Sequence, residues 1–217
     1  MKIAVFGTGD VGRRIASRLV ELGHEVCLGS RTTDNEAATK WAAESGGTHG
    51  TFRDAATYGA LVFNCTKGEH TMAVLEAAGA DALDGKVLVD VSNPLDFSNG
   101  FPPSLSIANT DSLAEQVQRT YPKVKVVKGL NTMANTVMVD PRALGGTHHT
   151  FLSSDHDDAK TALREILVSF GWRAEEIVDL GGLDTARGTE AFLLLWVRLW
   201  GALGTAEFNI GLVKKEG

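Results

Sequence analysis

A glycine-rich turn near the N-terminus has the residue types and spacing to bind the phosphates of a nucleotide. Gly7, Gly9 and Gly12 have the spacing Gly-x-Gly-x-x-Gly and follow the apolar run 3–6. Gly7 permits a tight turn, Gly9 allows the backbone to approach a pyrophosphate, and Gly12 allows the next helix to pack closely on the strand. Amides at the start of that helix would face the phosphates. We therefore predict a dinucleotide-binding site after the first strand.

The end of the second apolar run indicates which dinucleotide binds. An NAD-specific site has an Asp or Glu there against the ribose hydroxyls, whereas this chain has Ser30, Arg31 and Thr32. A carboxylate would repel a 2′-phosphate, while a guanidinium and hydroxyls attract it. The sequence therefore predicts NADP(H). The alternative is that Arg31 is an ordinary solvated charge and that Asp34 contacts the ribose.

Polar residues also follow three later apolar runs. Ligands of a doubly wound sheet bind at the carboxyl ends of its strands, so these residues are candidates for the reacting end of the site. Polarity in a loop is weak evidence by itself, and each residue alone would equally fit a solvated loop. The candidates are Thr66, Lys67 and His70 after one run, Ser92, Asn93 and Pro94 after the next, and Asn131 after the third.

Short apolar runs alternate with helical patterns along most of the chain, which predicts a Rossmann-type α/β fold with a doubly wound, mostly parallel sheet. Asp155 is the expected N-cap of the last helix of this part, and Gly171 its C-cap. The predicted strands are 3–6, 24–29, 50–53, 60–66, 86–91, 124–128, 149–153 and 173–180, and the predicted helices are 11–22, 36–45, 71–78, 112–120 and 155–170.

The last part of the chain differs from the rest in composition. We expect a dinucleotide-binding domain over 1–182 and a short C-terminal helical segment over 183–217. Large apolar residues are concentrated between 183 and 208, but Arg198 interrupts them, so the apolar run is too short to span a bilayer. A helix that is apolar nearly all round must be buried on several sides. We predict that it forms the contact of a homodimer; the alternative is that it folds back on its own domain.

Composition restricts the partners. The 217 residues carry a formal net charge of −6 without a lysine or arginine run, which argues against nucleic acid or an anionic membrane as partner. Cys27 and Cys65 lie in apolar runs and are expected to be buried small hydrophobes in strands. His148 and His149 have no third ligand at a suitable spacing, so we expect no metal site. The N-terminal apolar run is too short for a secretory signal, which predicts a cytoplasmic protein.

Five stretches resemble, in order and spacing, the deazaflavin-dependent NADP oxidoreductases. They are similar also to the cytosolic oxidoreductase domain of the six-transmembrane metalloreductases, which belongs to the same broad group. Asp-Val-Ser-Asn-Pro and Val-Val-Lys-x-x-Asn are closer to the metalloreductases, whereas Arg187, Glu190, Arg198 and the residues 208–211 resemble the C-terminal part of the soluble reductases. The five stretches are 7–10, 29–31, 69–70, 90–94 and 126–131.

The resemblance implies an NADP(H)-dependent oxidoreductase that transfers hydride between the nicotinamide and a deazaflavin or flavin acceptor. The cofactors carry such chemistry, so the absence of a catalytic triad is no objection. His70 would donate a hydrogen bond or tune charge near the cofactor, or else cap a helix. By the same resemblance, Thr8, Asp10, Val11, Ser30, Arg31 and Thr32 hold NADP(H), and Ser92, Asn93, Pro94 and Asn131 line the hydride-transfer face.

Two departures from these families limit what the resemblance implies. These families usually have a further Arg or Lys shortly after the Ser-Arg pair. The stretch 33–36 has none, so we expect a milder preference for NADP than is usual. The metalloreductases continue into haem-binding transmembrane helices, so we expect no direct metal reduction through a membrane. The rival functions are a dehydrogenase or imine reductase that acts on a small metabolite, and a non-catalytic NADPH-sensing protein. The sequence leaves open whether the acceptor is deazaflavin, FMN, FAD or a quinone-like molecule.

Overall fold

The alternation of buried strands and helices gives the predicted Rossmann-type α/β fold in the computed structural model, which describes residues 1–215. In that range the strands are β1 Lys2–Phe6, β2 Glu25–Ser30, β3 Thr48–Thr51, β4 Leu61–Asn64, β5 Val87–Asp90, β6 Leu95–Asp96, β7 Ser104–Leu105, β8 Lys125–Gly129, β9 Thr150–Ser153 and β10 Ile177–Asp179. The helices are α1 Asp10–Glu21, α2 Glu36–Ser45, α3 Phe52–Tyr58, α4 Thr71–Ala78, α5 Ala80–Leu83, α6 Leu113–Thr120, α7 Asn135–Val139, α8 Asp157–Phe170 and α9 Ala186–Leu203.

Eight of these strands form one sheet in the order β10-β9-β8-β5-β4-β1-β2-β3. Neighbouring strands are parallel except β8 and β9, which pair antiparallel. The chain winds from β1 toward β3 on one side and from β4 toward β8 on the other. The carboxyl ends of β1 and β4, paired through Phe6 and Asn64, therefore lie at the point where the winding direction reverses. Ligands of open α/β sheets bind at such a point.

Each face of the sheet is covered by its own apolar cluster. One cluster contains Ile15 and Leu19 of α1 together with Leu163 and Leu167 of α8. The other contains Ala55 of α3 and further apolar residues of α4 and α6. Because both faces are buried, the central strands are apolar on both sides, which explains their continuous hydrophobic runs.

The structure corrects the predicted strand 50–53. The strand is Thr48–Thr51, and a helix that the sequence analysis did not predict begins immediately after it. The Thr51 side chain accepts a bond from the Asp54 amide, and the Asp54 side chain accepts one from the Thr51 amide. This capping box begins a helix at Phe52 and ends the strand.

Around α8, two further predictions are corrected and one is confirmed. Asp155 is not its N-cap: the helix begins after His156, and the Asp155 carboxylate instead accepts a bond from the Leu183 amide at 2.9 Å. Gly171 is the C-cap, as predicted, in the left-handed conformation. The predicted strand 173–180 is a 3₁₀ turn followed by the short β10, because the Arg173 amide donates to Glu176 and tightens the turn.

Two segments of predicted loop contain structure. Helix α7 lies in the loop that follows β8, and β6 and β7 form a small antiparallel hairpin after β5. Cys27 lies in β2 as predicted, but Cys65 lies just beyond the end of β4 and is half-buried.

Helix α9 occupies the predicted C-terminal helical segment and has two different faces. Ala186, Glu190, Leu193 and Val197 form a buried stripe at helical spacing. This stripe packs on the chain's own sheet unit, which was the alternative to a dimer contact. Outside this stripe the helix exposes large apolar side chains: Leu194, Leu195, Trp200 and Leu203.

Candidate functional site

The three glycines of the turn between β1 and α1 have different surroundings. Gly7 has φ +108°, a conformation that other residues rarely adopt. A Cβ on Gly12 would lie 1.9 Å from the Gly7 carbonyl oxygen, so the helix and the turn touch directly there. A Cβ on Gly9 would meet no protein atom within 4 Å. Within residues 1–215 the space beside Gly9 is therefore open, which leaves room for a pyrophosphate to approach the backbone.

The loop after β2 is held by its first residue and exposes the next two. Ser30 is buried, and its hydroxyl donates to the Thr32 carbonyl at 2.5 Å and the Gly50 carbonyl at 3.3 Å. Arg31 and Thr32 are exposed, and within residues 1–215 the Arg31 guanidinium has no ion-pair partner. A hydrogen bond from the Thr32 side chain lowers the pKa of the neighbouring Asp34 carboxyl. Ser30 thus shapes the loop, and Arg31 is available to an anion.

The loop after β4 lies beside the glycine-rich turn. The Thr66 hydroxyl donates to the Asn64 side-chain oxygen at 2.7 Å. A Cβ on Gly68 would lie 2.1 Å from the Asn93 carbonyl oxygen, so this loop packs closely on the loop after β5. Lys67 is exposed. His70 is also exposed, with 54% of its side chain accessible and its ring 3.7 Å from the Glu69 carboxylate.

Ser92, at the end of β5, is fixed by buried hydrogen bonds on several sides. Its hydroxyl donates to Asp90 Oδ1 at 2.6 Å, and its amide donates to the same oxygen at 3.2 Å. The Thr71 hydroxyl donates to the Ser92 hydroxyl at 3.2 Å. Asn64 donates to both Thr71 and Asp90 and completes the network. Such a network, with its buried polar groups satisfied, holds one conformation.

A buried ionic triad lies below Ser92. The Lys128 ammonium contacts Asp90 Oδ2 at 2.7 Å, Glu190 Oε1 at 2.7 Å and the Ser92 carbonyl at 2.5 Å, and all three charged side chains are almost inaccessible. Burial disfavours the charged form of Lys128, but the two carboxylates outweigh that effect and raise its pKa above the ordinary value. Lys128 is therefore charged at neutral pH.

The loops after β5 and β8 hold each other through two amide side chains. Asn93 Nδ2 donates to the Asn131 carbonyl at 2.9 Å, and Asn131 Nδ2 donates to Asn93 Oδ1 at 2.9 Å. Leu130, just before Asn131, has φ +62°, which costs energy for a residue with a branched side chain. Pro94 is buried next to Asn93. The backbone strain and the reciprocal bonds fix both asparagines at the same edge of the sheet.

A cavity of about 320 Å³ opens at this edge. Cys65 lines this cavity. Burial and, to a smaller extent, the Asp90 charge raise the pKa of its thiol, so the thiol stays protonated. A larger depression of about 700 Å³ lies between α1, α2 and α7, but charges of both signs line it and the strand ends do not reach it. The smaller cavity is lined by Val11, Cys65, Thr66, Lys67, Gly68, Glu69, Val91, Ser92, Asn93, Leu95 and Phe97.

Most predicted site residues thus meet at one edge of the sheet. Thr66, Lys67, Ser92 and Asn93 line the cavity, with Asn131 bonded to Asn93 behind it. Gly7 joins this group through Cys65, whose carbonyl would lie 3.0 Å from a Cβ on that glycine. The loop 30–32 follows β2, on the other side of β1. Predicted contacts that depend on a bound ligand stay predictions. The sequence analysis did not single out Gly68, Phe97, Lys128 or Glu190 for roles in the site.

The fold, the open glycine-rich turn and the cavity at the reversal of winding are those of a dinucleotide-binding α/β protein. The model of the family described as NADP oxidoreductase, coenzyme F420-dependent, matches residues 2–94. The F420-dependent NADP reductase of Methanothermobacter marburgensis is 31% identical, and the match covers 92% of each chain. The chain therefore belongs to the coenzyme F420-dependent NADP oxidoreductase family.

A solved structure from Arthrobacter sp. FB24 is similar over nearly the whole chain. It is 49% identical with a TM-score of 0.93, and the match covers 99% of this chain and 100% of that chain. Its own assignment as an F420-dependent NADP reductase is provisional. An imine reductase of Streptomyces aurantiacus, 20% identical over 94% of this chain and 63% of its own with a TM-score of 0.65, shares the fold alone.

The metalloreductases form a second group of relatives. Metalloreductase STEAP3 of Rattus norvegicus is 30% identical over 92% of this chain, but this chain spans 38% of the length of that protein. Among residues 1–215, no helix has the length and apolar character needed to cross a membrane.

Proposed function

We propose that this protein transfers hydride between NADP(H) and a deazaflavin or flavin acceptor. The observation that carries the proposal is the lining of the cavity at the switch in winding direction. Three of its polar side chains, those of Thr66, Ser92 and Asn93, are held by hydrogen bonds to residues behind the lining, and an exposed aromatic side chain, Phe97, also lines it. Groups of this kind orient two flat rings. Hydride transfer between two cofactors needs alignment of the donor and acceptor carbons more than it needs acid–base catalysis.

The residues around the glycine-rich turn fit the phosphates of NADP(H). Gly9 leaves space for the pyrophosphate, and the adjacent Thr8, Asp10 and Val11 would contact it at the start of α1. On the other side of β1, Arg31 and Thr32 are exposed and would hold the 2′-phosphate. The bound cofactor supplies a hydride at its nicotinamide ring.

The loops after β5 and β8 would orient that ring. Ser92 is fixed by the Asp90 network, and Asn93 and Asn131 fix each other, so their remaining polar atoms present a rigid surface. Pro94 keeps the first of these loops extended. His70 does not line the cavity but follows Glu69, which does, and its exposed ring would donate a hydrogen bond to the acceptor.

The acceptor would lie over the cavity on the side of the β6–β7 hairpin. Phe97 follows β6, lines the cavity and is 55% exposed. An exposed aromatic face stacks favourably on another flat ring system. This supports a deazaflavin or flavin as the second substrate over a small aliphatic metabolite.

We also propose that the exposed apolar face of α9 forms the contact of a cytoplasmic homodimer, with residues 183–217 as the segment responsible. Leu195 is exposed on α9. The rings of Trp200 and the exposed Phe101 meet edge-on, with 6.1 Å between their centroids. Contiguous exposed apolar surface of this kind is typical of interfaces. Light scattering would test this: the unmodified protein should have twice the chain mass and Leu195→Glu the mass of one chain.

The acceptor is tested by anaerobic mixing of the protein and NADPH with oxidised deazaflavin coenzyme, and separately with FMN. Loss of visible absorbance from the deazaflavin alone is the expected result. Loss from FMN alone would make the protein a flavin reductase. Tight NADPH binding with neither acceptor reduced would overturn the proposal in favour of a metabolite dehydrogenase, an imine reductase or an NADPH-sensing protein.

A further inference from the structure

The buried triad of Asp90, Lys128 and Glu190 connects the nicotinamide loop to the C-terminal helix. We propose that this triad positions the Ser92 loop for hydride transfer, so that α9 contributes to the site through Glu190. The role in hydride transfer rests on the proposed function. The connection between α9 and Ser92 follows from the contacts themselves.

The Lys128 ammonium has a hydrogen-bond acceptor for each of its hydrogens. It has three hydrogens, and the structure provides three acceptors for them: Asp90, Glu190 and the Ser92 carbonyl. The Asp90 carboxylate in turn accepts from the Ser92 hydroxyl and from the Ser92 amide. The carbonyl, amide and hydroxyl of Ser92 are thus all fixed by the triad.

The Glu190 carboxylate binds both Lys128 and the start of α6. Its Oε1 contacts the Lys128 ammonium and accepts from the Ala114 amide at 3.2 Å, and its Oε2 accepts from the Leu113 amide at 2.8 Å. These are the first two amides of α6, so Glu190 holds the start of that helix as well as Lys128. Loss of the Glu190 carboxylate would therefore remove one of the three acceptors of Lys128 and weaken its hold on the Ser92 carbonyl.

Helix α9 has a second polar anchor that does not reach Ser92. Arg187 donates from Nε to Glu115 Oε2 at 2.9 Å and from Nη2 to Glu115 Oε1 at 2.5 Å. Glu115 also accepts a bond from the Ser112 hydroxyl and makes no contact with the triad. The two anchors lie one turn apart on the same helix. Loss of the Arg187 anchor loosens α9 without removing a triad member, which makes it a matched control.

A pair of variants separates positioning from simple stabilisation. Glu190→Gln should lower kcat for hydride transfer by about 10- to 100-fold, because small misplacements of reacting groups have effects of that size. Its KM for NADPH should stay within about 3-fold, since the phosphate contacts are elsewhere. Arg187→Met removes a partly exposed ion pair, so it should lower the melting temperature less than Glu190→Gln does and change kcat by less than about 2-fold. Equal losses of kcat in the two variants, or an unchanged kcat in Glu190→Gln, would overturn the proposal.

A second measurement needs neither NADPH nor an acceptor. The Ser92 amide donates to Asp90, so its hydrogen exchange, followed by NMR, reports whether the loop is held. Exchange at Ser92 should be at least about 10-fold faster in Glu190→Gln and unchanged in Arg187→Met, relative to other amides of β5. If the unmodified protein reduces neither acceptor, the proposed function fails. Hydrogen exchange at Ser92 would still show whether the triad holds the loop. Unchanged exchange in Glu190→Gln would show that α9 does not hold Ser92.

Discussion

The two ends of the candidate site are built in opposite ways. At the proposed phosphate end, buried Ser30 shapes the loop after β2, but Gly9 is open and Arg31 is exposed and has no ion-pair partner within residues 1–215. At the nicotinamide end, Ser92 and Lys128 are buried and bonded to their neighbours. The first end holds its polar groups ready for a ligand, and the second uses them to fix its own shape.

This difference suits what each end would bind under the proposed function. Phosphates carry charge and many acceptor oxygens, so exposed donors and a helix N-terminus suffice to bind them. Hydride transfer depends on the relative placement of two rings, for which a rigid surface is needed. Substitutions at the phosphate end should therefore change affinity, and those at the nicotinamide end should change stability and turnover.

The largest effect is expected from Lys128→Met. Removal of the ammonium leaves Asp90 and Glu190 as buried, unpaired carboxylates, which should reduce the free energy of unfolding by about 3–5 kcal/mol in urea denaturation. Lys123→Met is the control, because its ion pair with Asp84 is exposed and should contribute at most about 1 kcal/mol. Similar values for the two variants would contradict the contrast between buried and exposed charge.

Arg31→Asp should affect affinity and leave stability unchanged. The variant replaces an attractive guanidinium with a carboxylate that repels a 2′-phosphate, so NADPH binding should weaken about 100-fold, or about 2.7 kcal/mol. NADH lacks that phosphate, and its affinity should stay within about 3-fold. Both dissociation constants are measured by fluorescence titration.

Lys40→Asp, an equal change of charge on the exposed side of α2, controls for net charge. Equal weakening of NADPH and NADH in Arg31→Asp would remove the assignment of the 2′-phosphate to Arg31.

Two glycine variants test the turn itself. In Gly12→Ala the new methyl group would overlap the Gly7 carbonyl, so the free energy of unfolding should fall by about 1–3 kcal/mol. In Gly9→Ala the methyl group meets no protein atom, so stability should stay within about 0.5 kcal/mol while NADPH affinity falls about 10-fold. Calorimetry of the free and NADPH-bound proteins measures both. A destabilised Gly9→Ala protein with unchanged affinity would reverse the interpretation of this turn.

The smallest effect is a pH dependence outside both ends. Hydrogen bonds from Arg119 hold the pKa of the Asp111 carboxyl at about 2, below its ordinary value. A lowered folded-state pKa gives stability that is complete above about pH 4 and is lost as the pH falls toward about 2. Asp111→Asn should therefore be less stable by about 1 kcal/mol at about pH 5.5, with solvent screening included, and the difference should narrow at about pH 3. A difference that is independent of pH would rule out this carboxylate as its source.

The sequence alone supports a proposal for the phosphate end because the signals for it are local. The glycine spacing and the Ser-Arg pair lie within about one βαβ unit and depend on neighbouring residues. The triad could not be assigned in the same way, since Glu190 reaches the start of α6 from 77 residues further along the chain. A signal was nevertheless present: Lys128 and Asp90 stand in apolar strands, and a charge in a buried strand needs a partner.

The structural details that were missed also have physical causes. The capping box at Thr51 outweighed a short apolar pattern, and the hairpin that carries Phe97 has strands of two residues each, too short for any periodicity. The antiparallel pairing of β9 depends on the path of the long connection before it. Strand type and most helices follow from local pattern, while pairing direction and short elements follow from the tertiary structure.

The position of Glu190 late in the chain also sets an order of assembly. Lys128 is synthesised before its third acceptor exists, and contacts that close long stretches of chain form slowly. We expect the dinucleotide-binding strands to collapse first, with the region around Ser92 remaining unsettled until α9 has docked. A nascent or truncated chain that ends before residue 190 would contain an incompletely paired lysine in its core. The C-terminal helix is thus the last component of the nicotinamide end to arrive, and its docking marks the completion of folding.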